Sequence, residues 1–289
     1  MVSHILIGTS GWGYDEWIGS FYPKGLRKQD FLAYYSQIFY TTEINTTFYN
    51  IPPINIVKNW VKKTPPNFKF SAKLPKSITH EAKLELNSSL ETLDVFLKVM
   101  SPLTDSDKLL AFLIQLPPYF KKQESFADLR DFIEAWPLDY KNKEPYLVVE
   151  FRDMSWMNEE VFSYLKKMKI TYCMVIEPLL PPRMDITNED FFYIRFHGYG
   201  KKPWFDYYFK ENEIKNWAGK INNIMNNIRK IGIYFNNHFS GYATKNSLMM
   251  MKELKVEPKT YPDKINLLDL QKETGVYSKN QKSLDDFFN

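Results

Sequence analysis

Three short runs each set two polar side chains two residues apart at the end of an apolar stretch. They are Glu43-Ile44-Asn45, Glu150-Phe151-Arg152 and Arg195-Phe196-His197. In an extended chain, residues i and i+2 point to one side, so each pair would act as a unit. Glu177, Gln115, Lys73 with His80 beyond it, and the neighbours Asn236 and Asn237 close other apolar runs. Such groups are costly to bury unless they are paired or functional. Arg152 and Arg195 carry the planar fork that suits phosphate or carboxylate. Glu43 and Glu150 could act as general bases or hold a divalent ion, and His197 could act as acid, base or ligand. The structural alternative is a charge network, with Glu150 on Arg195 and Glu43 on Arg152.

The expected metal ligands are Glu43, Glu150, Glu177, His80 and His197. A carboxylate-rich set favours Mg2+ or Mn2+, and histidine leaves Zn2+ as the less favoured choice. No HExxH motif supports zinc, and nothing in the sequence asks for an organic cofactor. Around the first apolar run, GTSGWGY could bring backbone close to a phosphate, although a glycine-rich turn after a strand is the plainer explanation. Cys173 lies in an apolar run and reads as inert core, and His4 as a hydrogen-bonded structural residue. His238 falls between the structural and functional cases. No nucleophile elbow is present, which argues against a serine hydrolase.

These residues need elements to hold them. Eight apolar runs have strand length: 4–10, 40–45, 68–74, 109–116, 146–151, 171–176, 191–196 and 231–236. Few alternate with polar residues, which suits strands covered on both faces of a parallel sheet. Helical periodicity fills 30–39, 88–100, 125–136 (with Ser125 as its cap), 159–168, 212–229 and 244–254. Strands alternating with helices in this number predict an α/β fold, the (β/α)8 TIM-type barrel. An open doubly wound sheet is the runner-up, but no GxGxxG follows the first run. In a barrel the active site lies at the C-terminal ends of the strands, where the polar pairs fall. Residues 1–254 form the expected barrel, 255–280 a charged, proline-bearing linker or extension, and 281–289 a distinct tail.

Composition bounds the rest. The chain has 289 residues, 44% apolar and 25% charged, which excludes wholesale disorder. No window resembles a membrane helix, and the N-terminus lacks the features of a signal peptide. One cysteine excludes an internal disulfide, so a cytoplasmic location is expected. The formal net charge of +4 permits a polyanionic partner without announcing one. Aromatic residues reach 17%, enough to fill a core and leave some to stack on bases or sugars.

The runs GTSGWGYDEWIGSFYP (8–23), FYTTEINTTFYNIPP (39–53), FKFSAKLPKSITH (68–80), LIQLPP (113–118), VEFRDMSW (149–156), YIRFHG (193–198) and YFNNHFSGYATKNS (234–247) occur in the order found in one family. On them the chain resembles the DUF72 (YecE-like) family. That resemblance implies a TIM barrel with a pocket at its mouth, and no defined reaction. Glu177 departs from the aspartate expected there, which alters the reach of that carboxylate.

The tail Gln281-Lys282-Ser283-Leu284-Asp285-Asp286-Phe287-Phe288 reads QxxLxxFF. It resembles the PCNA-interacting peptide, or PIP box. One helical turn places Leu284, Phe287 and Phe288 on one side, forming a plug for a groove on the sliding clamp, with Gln281 hydrogen-bonding beside it. A clamp of this type implies an archaeal host, or a eukaryotic one with nuclear location. Together, the charged strand ends and the tail predict a clamp-recruited DNA-processing protein, a metal-dependent nuclease. Trp12, Tyr14, Asn45, Tyr49, Lys73, Gln115, Asn236 and Asn237 are its expected substrate-binding residues. The alternatives are a tethered adaptor without catalysis and a small-molecule enzyme for a phosphorylated or carboxylated sugar.

Overall fold

The computed structural model describes residues 4–139, 144–201 and 203–265. Eight strands lie within a residue or two of the expected runs. They are β1 (His4–Ser10), β2 (Thr41–Ile44), β3 (Lys69–Lys73), β4 (Leu109–Gln115), β5 (Tyr146–Glu150), β6 (Thr171–Ile176), β7 (Phe192–Phe196) and β8 (Lys230–Phe235). All pair in parallel in sequence order, and β8 closes on β1 with Ile7 opposite Ile233. This is the TIM-type (β/α)8 barrel.

Helices α1 (Phe31–Ser36), α2 (Thr46–Tyr49), α3 (Ile54–Lys62), α4 (Leu86–Asp105), α5 (Lys122–Glu134), α6 (Glu159–Met168), α7 (Glu211–Met225) and α8 (Tyr242–Glu253) join them. Helix α3, after the Pro52-Pro53 pair, is not among the expected helices, although Val57, Trp60 and Val61 form its apolar face; one expectation also fails locally. Helix α5 starts three residues before Ser125, which is buried inside it and caps nothing. The Asn158 side chain accepts from the Glu160 N–H at the start of α6, a sound N-cap.

The barrel interior is more polar than the usual filling of branched aliphatics. Tyr193 and Tyr234 stack inside it at 4.6 Å. The Tyr234 hydroxyl lies 2.9 Å from Thr41 Oγ1 and 2.8 Å from Ser71 Oγ. Stepping two residues up each of these strands reaches Glu43, Lys73, Arg195 and Asn236. The inward face therefore climbs from a satisfied hydroxyl layer into the charged mouth, in steps set by the strand period.

Residues 255–265 do not swing free. The Lys259 N–H donates to the Ile38 carbonyl at 3.1 Å, and its ammonium lies over the Tyr40 ring at 5.1 Å. The start of the expected linker thus covers the N-terminal end of the barrel. The remainder of that segment and the tail residues Gln281, Leu284, Phe287 and Phe288 lie outside the described residues.

Gly8 is where β1 meets β2 most closely. A methyl group there would sit 1.9 Å from the Thr41 carbonyl oxygen and 2.9 Å from the Tyr35 hydroxyl. That hydroxyl accepts from the Thr9 N–H at 2.8 Å and donates to Thr41 O at 3.1 Å. Gly8→Ala should therefore force β1 and β2 apart. The expected cost is about 2 kcal/mol or more, as for an overpacked core. A thermal scan should read this as a fall in Tm of about 5 °C. An unchanged Tm would mean the strand pair yields freely.

Candidate active site at the barrel mouth

Arg195 on β7 stands at the centre of the mouth and is buried with both its acidic partners. Its Nη2 donates to Glu43 Oε1 on β2 at 2.6 Å, and its Nη1 to Glu150 Oε2 on β5 at 2.5 Å. The Tyr193 hydroxyl donates to the second Glu43 oxygen at 2.7 Å. Arg152, just past β5, donates through Nε to Glu150 Oε1 at 2.5 Å and through Nη1 to Glu177. Its Nη2 lies 3.0 Å from His197 Nε2. Of the two pairs expected for a charge network, Glu150 with Arg195 forms. Glu43 with Arg152 does not: Glu43 binds Arg195, and Arg152 reaches Glu150 and Glu177.

These contacts fix the protonation states. Burial alone would raise the Glu150 carboxyl, but the guanidiniums of Arg152 and Arg195 outweigh it and hold Glu150 well below the ordinary carboxylate range. Glu177 behaves oppositely: burial dominates, the carboxyl is raised, and its Oε1 has no partner. Burial and then the two arginines push His197 down to about 3, so the imidazole is neutral. A guanidinium only donates, so Nε2 must accept and the ring proton sits on Nδ1. The Asn236 amide lies 2.9 Å from Nδ1, and the need for an acceptor assigns its oxygen to that side. Its NH2 then faces the Asn45 amide at 3.5 Å, which requires the Asn45 amide to turn with it so that an oxygen accepts there.

Above this floor opens a cavity of about 660 Å³. Trp12, Tyr14, Asn45, Tyr49, Lys73, Gln115, Arg152, Arg195 and Asn236 all line it, as expected from sequence. Gly11, at φ +91°, turns the chain so that its N–H meets the Glu43 carbonyl at 2.8 Å. This turn carries Trp12 and Tyr14 over the mouth. Tyr14 donates to Ser10 O at 2.8 Å and stacks on His238 at 4.6 Å. Lys73 reaches the cavity from the end of β3, donating to Gln115 Oε1 at 2.6 Å with its Nζ 3.8 Å from the centre of the Phe48 ring. Burial, followed by the field of Arg195, lowers the Lys73 ammonium to about 7.

Two expected residues stand elsewhere. Asn237 is fully buried away from the cavity, its amide bonding the Tyr207 carbonyl and Asn246. Adjacent positions on an extended chain point to opposite sides, and Asn236 takes the inward one. His80 pairs with Thr79 Oγ1 at 2.9 Å and packs against Phe48, apart from the carboxylates. His238, which the sequence leaves between the structural and functional cases, lines the cavity, and so do Phe48, Trp60 and Phe205, which carry no local mark. Cys173 is buried with its thiol raised by burial, as expected of inert core.

The donor set does not fit a divalent ion as arranged. Every oxygen of Glu43 and Glu150 already faces a donor, and His197 Nε2 faces Arg152. Among the described residues no three histidine, cysteine, aspartate or glutamate side chains converge on one point. An ion would have to displace an arginine first, so no step is derived through a metal.

Removing Arg195 should leave two buried carboxylates uncompensated. Arg195→Met is expected to cost about 3–5 kcal/mol in urea unfolding, with Glu43→Gln in the same chain recovering part of the loss. The depressed values set the pH dependence. A group whose folded pKa is lowered stabilises fully above its unfolded pKa, and that stability is lost as pH falls towards the folded value. For His197 the loss begins near its ordinary 6.5, and for Glu150 below its ordinary 4.5. His197→Gln should therefore reduce, by one proton's share, the slope of the stability profile between about pH 6.5 and 4.5, where His80 and His4 are also lowered by burial, and leave the lower limb in place. A profile unchanged by this substitution would contradict the neutral, flanked imidazole.

Comparison with known proteins places the whole arrangement in one group. The profile described as "Protein of unknown function DUF72" matches residues 6–267. The UPF0759 protein YunF of Bacillus subtilis is 29% identical over 278 residues, covering 88% of this chain and 95% of that protein. The UPF0759 protein YecE of Escherichia coli is 32% identical over 136 residues, 47% of this chain and 46% of that one. Among solved structures, a DUF72 family protein (TM1631) from Thermotoga maritima matches with TM-score 0.78 and 30% identity, covering 87% of this chain and 99% of its own. A second DUF72 structure (EF0366), from Enterococcus faecalis, gives a TM-score of 0.73 at 26% identity, covering 88% of this chain and 98% of its own. The family model spans residues 6–267 and the fold matches solved members of the group, so this chain belongs to the DUF72 family.

Proposed function

We propose that the barrel is an enzyme that binds and cleaves the sugar–phosphate backbone of an unpaired DNA strand. The observation that carries this reading is one cavity in which Lys73, Arg152 and Arg195 face aromatic walls formed by Trp12, Tyr14, Phe48 and Tyr49. Lys73, and the N–H hydrogens that Arg152 and Arg195 do not spend on Glu43, Glu150 and Glu177, suit phosphate oxygens, and aromatic faces accept any base. The rim extends the same character outwards. Tyr49 and Tyr119 are 68% and 54% exposed, and Tyr199 and Tyr208 stand on the loop after β7. Charge at the reacting phosphate would be met by these fixed cations.

The PIP-box-like tail would deliver the barrel to a PCNA-type clamp. The family match ends at residue 267, before the tail, and the relatives named above are bacterial. The tail proposal thus stands on residues 281–289 alone and concerns a feature added to the shared barrel. A second reading, an enzyme for a free sugar phosphate, is favoured by the cavity volume of about 660 Å³. That volume lies within the range of ordinary small-molecule sites.

The test incubates the full chain with end-labelled single-stranded, duplex and flapped DNA, with Mg2+, with Mn2+ and with EDTA. Cleavage persisting in EDTA and falling at least about 100-fold in Arg152→Met is expected if fixed cations carry the charge. Cleavage that requires Mg2+ or Mn2+ would restore the metal-dependent mechanism and overturn the arginine one. No cleavage, with inorganic phosphate still bound, would favour the free sugar phosphate. Separately, replacing Phe287 and Phe288 with alanine should abolish binding to an immobilised PCNA ring. Undiminished binding would remove the tail from the proposal.

A further inference from the structure

We propose that Lys73 is an amine nucleophile that forms an imine with the open-chain carbonyl of a phosphorylated sugar held in this cavity. The inference rests on the reading above for its phosphate, and goes beyond it in assigning covalent chemistry. Lys73 ends β3, so a rigid strand aims its side chain into the cavity. Its residue is 9% exposed, yet among the described residues no carboxylate lies within ion-pair reach of Nζ. Its neighbours are the neutral Gln115 oxygen and the Phe48 face. The acids of the mouth are committed to Arg152 and Arg195, which leaves this lysine apart from the charge pairing that surrounds it.

A lysine retained only for its charge gains from a carboxylate or from open water. One that is desolvated beside other cations readily loses its proton and becomes nucleophilic. Lowering to about 7 makes the free-base fraction at neutral pH about 10³-fold larger than for an ordinary lysine. The step balances without a further reagent. The amine nitrogen attacks the carbonyl carbon, the carbon–oxygen double bond breaks, and a carbon–nitrogen double bond forms. The two amine hydrogens leave with the carbonyl oxygen as water. Arg152 and Arg195 would hold the phosphate meanwhile.

Such a carbonyl reaches the cavity from two sources, a free sugar phosphate or a baseless deoxyribose within a DNA strand. The experiment treats the full chain with 2-deoxyribose 5-phosphate, or with a single-stranded oligonucleotide carrying one baseless site, in the presence of sodium cyanoborohydride. Peptide mass mapping then locates the reduced adduct. Labelling of Lys73 at least about tenfold faster than any other lysine is expected, rising to a plateau through about pH 7 and suppressed by inorganic phosphate. The probe that labels faster identifies the source. Lys73→Arg keeps the charge but cannot form the imine, so it should bind phosphate and give no adduct. The wild-type map keeps the test valid if that variant does not fold. Labelling spread evenly over surface lysines, or none at Lys73 while phosphate still binds, would overturn the imine and leave the phosphate site standing. Labelling of Lys73 that phosphate does not suppress would instead overturn the phosphate reading.

Discussion

The mouth of this barrel depends on one guanidinium. Arg195 joins β2 to β5 across the interior through Glu43 and Glu150, and its own strand supplies Tyr193 to close the second Glu43 oxygen. Desolvating three such charges is expensive, and their attraction repays the cost only when geometry and hydrogen bonds are complete. Here nearly every acidic oxygen at the centre has a donor. The exception is Glu177 Oε1, and on the donor side Arg195 Nε is likewise buried without a partner. Unsatisfied atoms at the edge of an otherwise closed network mark the places where a bound group could complete it.

Rigidity below and adaptability above follow from the same architecture. The hydroxyl layer of Thr41, Ser71 and Tyr234 has its partners inside the barrel and anchors the charged layer from beneath. The cavity walls come from loops, held by a few long-range contacts. The Trp17 indole donates to the His238 carbonyl at 2.7 Å, which ties the loop after β1 to the loop after β8. Tyr14 and His238 stack across that join. Loops so placed can vary in what they recognise while the charged floor is kept, a division common to barrels of this class.

Family membership and the tail answer different questions. The match over residues 6–267 covers the barrel, including the strands that carry the arginines and line the cavity. It supplies no reaction, so function must be argued from the site. The nine residues at the C-terminus add a claim about location, independent of the chemistry at the mouth.

How much the sequence disclosed follows from the range of the forces involved. Strand positions were legible because burial on both faces leaves continuous apolar runs, such as Leu109–Gln115, whatever the partners are. The residues at strand ends were legible because the two-residue period fixes their side, which correctly grouped Glu150 with Arg152 and Arg195 with His197. The same period would have excluded Asn237, since its neighbour Asn236 already takes the inward side. Helix α3 does carry an apolar face, Val57 with Trp60 and Val61, but at nine residues it is short and lies between the second and third strand runs just after a proline pair. Local periodicity is enough to specify the barrel and the set of charged groups at its mouth. Packing across the barrel sets which carboxylate each arginine takes, closes the acids to a metal as arranged, and leaves Lys73 with Gln115 and Phe48. Those outcomes depend on distances between strands far apart in sequence, which no local pattern encodes.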